Sequence, residues 1–300
     1  MEKILVTGAV GQIGRFLIRR LLEERINFTG LDIRTAKNLP DFKLLNIQLT
    51  DRNELKKNQI DLQEFDTLIH LASKIDIEPN VIKSGKNSVE LNIMGTLNLL
   101  EFMPNLQHIC FTSTYLTYGQ SHTNPVKEDH QTNPTTVYGA SKLATEKFFQ
   151  IFSEQHNIPV TILRLMGVYD LENPYNQAIP SFIKLMANNQ NPTIFGNGKA
   201  KRNHLHVDDS INAILVSLKN KKNGIYNIGG FDAPSNLELV EIINKKMKKK
   251  IQPNFKNIDN IENDFVTDIS KAKNELGFNP IIGIEEGILK TINRFRKNPW

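Results

Sequence analysis

The sequence has a single cysteine and no long apolar run among its 300 residues. Cys110 therefore has no partner for an internal disulfide, and its place in a short apolar run predicts a buried, unreactive thiol. Nowhere do about 18 apolar residues follow one another, and the apolar run near the start is too short for a signal peptide. These absences exclude a disulfide-rich secreted domain and a membrane-spanning helix, so we expect a cytoplasmic protein with no membrane partner.

Charge of one sign is in small excess, with a formal net charge of +5. Much of this excess lies in residues 245–250, where lysines at the end of a predicted helix complement the helix dipole and remain solvated. No aromatic residue is interleaved with these lysines, which disfavours a nucleic-acid surface. We expect neither a nucleic-acid partner nor a bound metal.

The first 24 residues predict a strand, a glycine turn and a helix. Residues 3–7 are apolar, three glycines spaced by two residues follow, and residues 15–24 are amphipathic. Glycines let the backbone turn tightly and approach a pyrophosphate, whose charge is stabilised by the N–H groups of the helix start. The spacing differs from the usual Gly-x-Gly-x-x-Gly, and a simple turn is the alternative, but the position after the first strand favours a dinucleotide. The predicted contacts are Gly8, Gly11, Gln12, Ile13 and Gly14.

A second predicted strand, residues 27–31, ends at Asp32, 18 positions beyond Gly14. A carboxylate there accepts hydrogen bonds from ribose hydroxyls and repels a 2′-phosphate, which favours NAD over NADP. Arg34 weakens this inference, because its guanidinium can pair with the extra phosphate. A loop carboxylate with no ligand is the alternative interpretation of Asp32.

Further apolar runs predict four more strands of a doubly wound parallel α/β sheet, at residues 44–48, 66–72, 108–113 and 160–165. His70 lies inside one of these runs and is interpreted as a packing residue rather than a base. Asp51 and Glu54 predict a capping box, and residues 88–102 predict a helix. From residue 169 onward, loops rich in Asn, Pro and Gly predict a smaller lobe that carries substrate specificity.

Tyr138 and Lys142 lie four positions apart on a predicted helix, so their side chains share one face. A phenol has a pKa of about 10, and an ammonium beside it lowers that pKa, which makes the phenol a usable acid and base. Alone the pair is weak evidence, because many solvated helix faces carry one. Hydroxyl groups of residues 112–117 follow the fifth strand, at the sheet edge where open α/β sheets bind ligands.

Together these motifs resemble the extended short-chain dehydrogenase/reductases, in the group of nucleotide-sugar epimerases and dehydratases. The resemblance covers essentially the whole chain and implies a Rossmann-type domain of residues 1–168 and a smaller C-terminal α/β substrate lobe of residues 169–300, with some segments of the lobe returning to the first domain. It rests on Thr7-Gly8-x-x-Gly11-x-x-Gly14, Asp32, His70-Leu71-Ala72, Asn92-x-x-Gly95-Thr96, Ser113-Thr114 with Tyr118-Gly119, Tyr138-x-x-x-Lys142, Arg164-x-x-x-Val168-Tyr169, Gly196-x-Gly198-x-x-x-Arg202, His206-Val207-x-Asp209, Tyr226-Asn227-Ile228-Gly229 and Asp268-x-Ser270-Lys271-Ala272 with Leu276-Gly277-Phe278.

The resemblance implies roles for individual residues. The implied catalytic residues are Thr114, Tyr138 and Lys142. Thr114 and Tyr138 are implied to contact the substrate, and Lys142 is implied to bind the nicotinamide ribose as well. Arg202 is the implied anchor for the substrate phosphates. The resemblance also implies a homodimer formed by helices around residues 88–102 and 140–152. Further implied NAD contacts are Gln48, Leu49, Leu71 and Ala72.

The chain departs from the family pattern at three places. Tyr115 and Leu116 stand where the dehydratases have Asp-Glu, which disfavours a 4,6-dehydratase because neither side chain can do that proton transfer. Gly167 stands where an Asn near the diphosphate is usual, and Ile261 where a basic residue is common. Other lysines could compensate, and the candidates are Lys184 and Lys199.

We predict an NAD-dependent epimerase that acts on a nucleotide-diphosphate sugar through a transient 4-keto sugar. The alternative is an NAD(P)H-dependent nucleotide-sugar 4-keto reductase with the same three catalytic residues. A third interpretation is a non-catalytic NAD-binding regulator. The intact set of Thr114, Tyr138 and Lys142 argues against it, because a sensor needs no phenolate.

Overall fold

The apolar runs of the sequence form a central parallel sheet. The computed structural model of the protein describes residues 2–75, 81–120, 123–170, 177–257 and 263–300. Its strands are β1 Ile4–Thr7, β2 Phe28–Leu31, β3 Leu44–Leu45, β4 Thr67–His70, β5 His108–Thr114, β6 Val160–Leu165, β7 Val168–Tyr169, β8 Thr193–Phe195, β9 Leu205–His206, β10 Gly224–Ile228 and β11 Asn254–Lys256. Within these ranges seven strands pair in parallel in the order β10-β6-β5-β4-β1-β2-β3.

Helices connect the strands and cover both faces of the sheet. They are α1 Gly14–Glu23, α2 Arg52–Lys57, α3 Gln59–Leu62, α4 Val81–Ser88, α5 Thr96–Glu101, α6 Val137–His156, α7 Ala178–Ala187, α8 Val207–Asn220, α9 Asn236–Met247 and α10 Ile284–Lys297. Two π-helical segments, Val89–Gly95 and Ala272–Leu276, and a 3₁₀ turn, Tyr115–Thr117, complete the described elements.

Alternate residues of each central strand pack on opposite faces of the sheet. Val6 and Ile69 join the cluster that contains α1 and α8, whereas Leu5 and Leu68 join the cluster that contains α5 and α6. A parallel sheet covered on both faces needs this continuous apolar pattern, which is why the strands were recognisable in the sequence. Cys110 is buried in the first cluster, which confirms its predicted burial, and burial raises the pKa of its thiol to about 12.

Three predicted elements differ in detail. The third strand ends at Leu45, which pairs with Leu31 at the end of β2, and beyond it the Gln48 N–H donates to the Glu54 carboxylate at 2.7 Å. Glu54 therefore does not complete a capping box, although Asp51 does accept from the N–H groups of residues 53 and 54. The helix predicted for residues 88–102 begins earlier, at Val81, and changes to π geometry before α5.

The second half of the chain contributes to the main sheet and its helices, and it also forms a separate apolar cluster. Strand β10 lies in the main sheet beside β6, and α8 packs against α1. Helices α7, α9 and α10 and strand β8 surround a separate apolar cluster that includes Ile183, Met186, Leu239 and Ile288. Strands β8 and β11 form a two-stranded parallel sheet there, and β7 pairs with β9.

Part of the lysine cluster has a structural role. Lys246 pairs with Glu285 at 2.7 Å, and Lys249 Nζ donates to the carbonyls of Met186 and Ala187 at the end of α7. The expectation of purely solvated lysines is therefore wrong for Lys249, because the last carbonyls of a helix attract an ammonium. No helix of the described ranges combines the length and the apolar character needed to cross a bilayer.

Candidate active site

The glycine turn after β1 leaves no room for a side chain at the positions of its glycines. A Cβ on Gly8 would lie 2.7 Å from the Ala72 nitrogen, and one on Gly14 would lie 2.2 Å from the Gly8 oxygen. Gly8 also has a φ of +66°, a left-handed conformation that favours glycine. Gln12 and Ile13 are half-buried in the same turn, which leads directly into α1. A turn without side chains at its glycines lets a pyrophosphate approach the backbone N–H groups at the start of α1, so this segment fits a dinucleotide.

Asp32 lies at the end of β2 with a nearly saturated carboxylate. It is 5% exposed and accepts from the Val10 N–H at 2.9 Å. Arg34 binds both carboxylate oxygens, through Nε at 2.9 Å and Nη2 at 3.0 Å, and its own N–H donates at 3.0 Å. These four donors match the acceptor capacity of a carboxylate. Ribose hydroxyls can therefore reach Asp32 only by displacing the Arg34 guanidinium.

The remaining predicted cofactor contacts lie around this turn. Leu49 is buried, and its backbone carbonyl accepts from Asn98 Nδ2 at 3.1 Å. Gln48 is exposed, and its Nε2 donates to the Thr50 hydroxyl. Leu71 and Ala72 follow β4 and are half-buried; the Ala72 N–H donates to Thr7 Oγ1, which fixes this backbone against the glycine turn.

His70 holds three elements together rather than serving as a base. Its Nδ1 lies 2.8 Å from Thr7 Oγ1 on β1, and its Nε2 lies 2.8 Å from Thr96 Oγ1 on α5. Burial, with a smaller effect from the charge of Lys142, lowers the pKa of His70 to about 3. The ring is thus neutral near pH 7 with a hydroxyl at each nitrogen, in agreement with the interpretation as a packing residue.

Local structure brings the start of α6 against the end of β5. Thr114 is the last residue of β5, and its hydroxyl accepts from the Leu116 N–H at 3.3 Å as the 3₁₀ turn begins. Thr136 caps α6 by accepting from the Gly139 N–H at 3.0 Å. A Cβ on Gly139 would lie 2.6 Å from the Leu116 oxygen, so this glycine allows the close approach of the helix that carries Tyr138.

Tyr138 and Lys142 are both buried on α6, which confirms that they share a helix face. Lys142 Nζ lies 4.0 Å from the centre of the Phe111 ring, within the range of a cation–π contact. Burial lowers the pKa of Lys142 to about 7, and the nearby charge of Glu146 opposes this effect. The amine can therefore exist in its charged form near neutral pH.

Asn92, to which the sequence reasoning gave no role, connects this helix with the loop after β4. Its Oδ1 accepts from Ser73 Oγ and the Lys74 N–H, while its Nδ2 donates to the Lys74 carbonyl and to Ser141 Oγ. Ser141 in turn donates to the Tyr138 carbonyl at 2.8 Å. The π-helical segment containing Asn92 thus fixes α6, and the family motif around Asn92 was the available signal.

Arg202 lies on a segment that faces the 3₁₀ turn. Its backbone bridges to Phe265, whose ring meets the Tyr115 ring at 5.3 Å. Burial raises the pKa of Tyr115, and the charge of Arg202 acts in the opposite direction. Gly167 has open space around its Cβ position, and Ile261 lies outside the described residues. The two candidate compensating lysines, Lys184 and Lys199, are exposed.

The sheet order, the glycine turn and the acid after the second strand, together with a Thr, Tyr and Lys set beside the fifth, define a Rossmann-type, dinucleotide-dependent enzyme. The chain belongs to the NAD dependent epimerase/dehydratase family, whose model matches residues 4–229. The predicted family, fold class and cofactor are therefore confirmed, whereas the roles of individual residues stay predictions.

Similar proteins include several epimerases. A Methanocaldococcus jannaschii protein, named as a proposed UDP-glucose 4-epimerase, is 32% identical over 306 residues, covering 98% of this chain and 99% of that relative. The structure of a Bacillus cereus UDP-glucuronic acid 4-epimerase with NAD is 28% identical, with a TM-score of 0.85 over 98% of this chain and 99% of that one. The structure of a Thermotoga maritima UDP-glucose 4-epimerase with UDP-glucose is 26% identical, with a TM-score of 0.89 and the same coverage.

Proposed function

We propose that the protein is an NAD-dependent 4-epimerase of a nucleotide-diphosphate sugar. The observation that carries the proposal is the packing of α6, with Tyr138 and Lys142, against the turn that begins at Thr114. This site lies on the sheet that also carries the glycine turn and Asp32. Similarity to UDP-glucose and UDP-glucuronic acid 4-epimerases over nearly the whole chain supports this choice within the family.

The residues that would hold the cofactor fit a dinucleotide. The N–H groups at the start of α1 would bind the pyrophosphate, and Asp32 would accept from the adenosine ribose once Arg34 has moved aside. Lys142 would donate to the nicotinamide ribose. When bound, NAD supplies a hydride acceptor for the sugar carbon and, in its reduced form, a hydride donor.

Protons move through Tyr138. Its phenolate accepts the proton of the sugar 4-hydroxyl as that carbon is oxidised, and it returns the proton to the 4-oxygen when the carbon is reduced on its other face. The Thr114 hydroxyl donates to the same oxygen and orients it. The Lys142 ammonium favours the phenolate electrostatically. Tyr138 therefore ends each cycle in its starting protonation state.

The neighbouring Tyr115 argues against a dehydratase. Loss of water from the sugar requires a proton donor and a base, and Leu116 offers neither. Burial raises the pKa of Tyr115, so this phenol stays protonated and cannot act as the base. Arg202 is the proposed contact for the substrate diphosphate, supported by its charge acting on the phenol of Tyr115.

The proposal includes a cytoplasmic location and a homodimer. The dimer is supported by large apolar side chains that are exposed on α4, the π-helical segment and α6. These side chains are Ile82, Val89, Met94, Phe148 and Ile151. An exposed apolar surface across neighbouring helices fits contact with a second copy of the same chain.

The test is turnover of a panel of sugar nucleotides with catalytic NAD. We expect a UDP-linked or dTDP-linked hexose to be converted to its C4 epimer, seen by NMR, with no net change in absorbance at 340 nm. Turnover of a keto sugar that occurs only with stoichiometric reduced cofactor would identify the reductase instead. NAD binding without turnover of any sugar nucleotide would favour the regulator.

A further inference from the structure

We propose that Glu146 is a positioning residue of this site, whose buried carboxylate keeps Lys142 charged and fixes the end of β5 next to Thr114. Glu146 touches neither substrate nor cofactor in this proposal and acts through its neighbours. The inference rests on the proposed function for its catalytic consequence, but its first test needs no substrate.

A single carboxylate joins three elements beneath the site. Glu146 is 0% exposed, and its Oε1 accepts from the hydroxyl of Ser113, the residue before Thr114. Arg164 on β6 binds the same carboxylate through Nε at 3.0 Å and Nη2 at 2.7 Å. Removal of the carboxylate would therefore break the side-chain link from α6 to the end of β5 and to β6, while the backbone pairing of β5 with β6 remains.

Glu146 is also the acidic neighbour of Lys142 on α6. The two residues are four positions apart, which brings their Cβ atoms to about 5–6 Å in a helix. Both side chains are buried, so their interaction is weakly screened by solvent. The charge of Glu146 raises the pKa of Lys142 against the larger effect of burial.

The other groups around Lys142 do not replace this charge. His70 on β4 is neutral near pH 7, and Phe111 on β5 offers only its ring face. Arg164 on β6 is a cation whose ion pair is with Glu146, and Tyr138 on α6 is the phenol that the Lys142 ammonium stabilises as phenolate. Without Glu146, we expect Lys142 to lose its proton near neutral pH and Tyr138 to lose its electrostatic partner.

A purely structural role for the Glu146–Arg164 pair is the competing explanation. Buried ion pairs are weak contributors to stability, since apolar residues of similar volume often serve as well. Arg164 has further contacts of its own: its Cζ lies 4.6 Å from the Tyr118 ring centre, and its Nη1 donates to the Glu128 carbonyl at 3.3 Å. The two explanations differ in whether the titration of Lys142 depends on Glu146.

The direct test measures that titration in the protein without substrate. Wild type, Glu146→Gln and Glu146→Asp carry lysine labelled with ¹³C at Cε and are titrated by NMR across pH 5 to 10 (about the range that brackets the buried and free amine), with the Lys142 signal assigned by its loss in Lys142→Met. We expect the titration midpoint of Lys142 to fall by about one pH unit or more in Glu146→Gln and to stay near the wild-type value in Glu146→Asp.

Asp170→Asn is the matched control, because Asp170 is another buried carboxylate paired with an arginine. Its Oδ1 accepts from Arg294 Nε at 2.8 Å. We expect this variant to lose stability but to keep the wild-type midpoint of Lys142. An unchanged midpoint in Glu146→Gln, or an equal shift in Asp170→Asn, would overturn the proposal.

Folding is checked first by thermal melting, because Glu146→Gln leaves Arg164 buried without its partner. If that variant does not fold, the double variant Glu146→Gln, Arg164→Met removes both charges of the buried ion pair. The midpoint of Lys142 in this double variant then tests the proposal. In an active enzyme, the alkaline fall in kcat should begin about one pH unit lower, with about a tenfold loss in kcat on that limb and little change in KM. Absence of turnover with a shifted midpoint would refute the proposed function and leave this inference standing.

Discussion

At the scale of single residues, the proposed chemistry depends on one oxygen atom. Tyr138→Phe removes the phenolic oxygen and keeps the ring that packs at the start of α6. We expect turnover to fall about 10² to 10⁴-fold, the usual loss for a positioned acid or base, while the melting temperature and NAD affinity stay nearly unchanged. Tyr226→Phe, which loses a hydroxyl bonded to Glu275, is the matched control and should remain active. If the Tyr138 variant keeps more than about a tenth of wild-type turnover, the assignment is wrong.

We expect two side chains to decide between NAD and NADP. The Asp32 carboxylate should repel a 2′-phosphate, whereas Arg34 could pair with one after it leaves the carboxylate. We expect a lower Kd for NAD than for NADP in the wild type, measured by titration calorimetry. Arg34→Ala should widen this preference, because it frees the Asp32 carboxylate and removes the cation that a 2′-phosphate could bind. Equal or tighter binding of NADP to the wild type would show that Arg34 dominates.

At the scale of elements, the strands and the catalytic helix could be predicted, but their connections could not. Continuous apolar runs are local properties of the sequence, so the predicted bounds of β1 and β6 agree with the structure within a residue or two. The bond between Asn92 and Ser141 joins residues 49 positions apart. The ion pair between Arg34 and Asp32 likewise depends on the rotamer of the Arg34 side chain. Neither contact has a periodic signal.

The glycine turn gives a prediction at this scale. Gly14→Ala should abolish measurable NAD binding, because its Cβ would lie 2.2 Å from the Gly8 oxygen and 2.7 Å from the Ala9 oxygen, so the turn must open. Gly85→Ala is the matched control: it lies inside α4, and its Cβ would meet only Val137 Cγ1 at 3.7 Å. The control should bind NAD normally and gain up to about 1 kcal/mol of helix stability. Normal NAD binding by Gly14→Ala would contradict the turn's proposed role.

At the scale of the whole molecule, the exposed apolar side chains of α4, the π-helical segment and α6 predict a homodimer. Light scattering at micromolar concentration should give twice the chain mass of 34.2 kDa. Ile151→Glu should shift the protein toward monomer, because it places a charge on the proposed interface. Ile281→Glu, at an exposed residue before α10, should leave the mass unchanged. A wild-type mass of 34.2 kDa would rule the dimer out.

The second half of the molecule shows why its assembly was harder to predict. Strand β10 pairs with β6, and about 60 residues separate the two strands in the sequence. The separation is long because neighbouring parallel strands must be joined by a crossover connection. Its sequence resembles any short apolar strand, and only the family motif at residues 226–229 indicated its place. Ile261, which stands where the family commonly has a basic residue, lies outside the described residues. That another lysine compensates for the lost positive charge therefore stays a prediction.

In the proposed function, oxidation and reduction occur on the same sugar carbon within one closed cycle. The decisive measurement follows a deuterium label on C4 of a UDP-hexose during turnover with catalytic NAD, together with the absorbance at 340 nm. We expect the product epimer to keep its label on C4 and the absorbance to stay constant. Loss of the label to the cofactor pool, or product formed only with stoichiometric reduced cofactor, would contradict it.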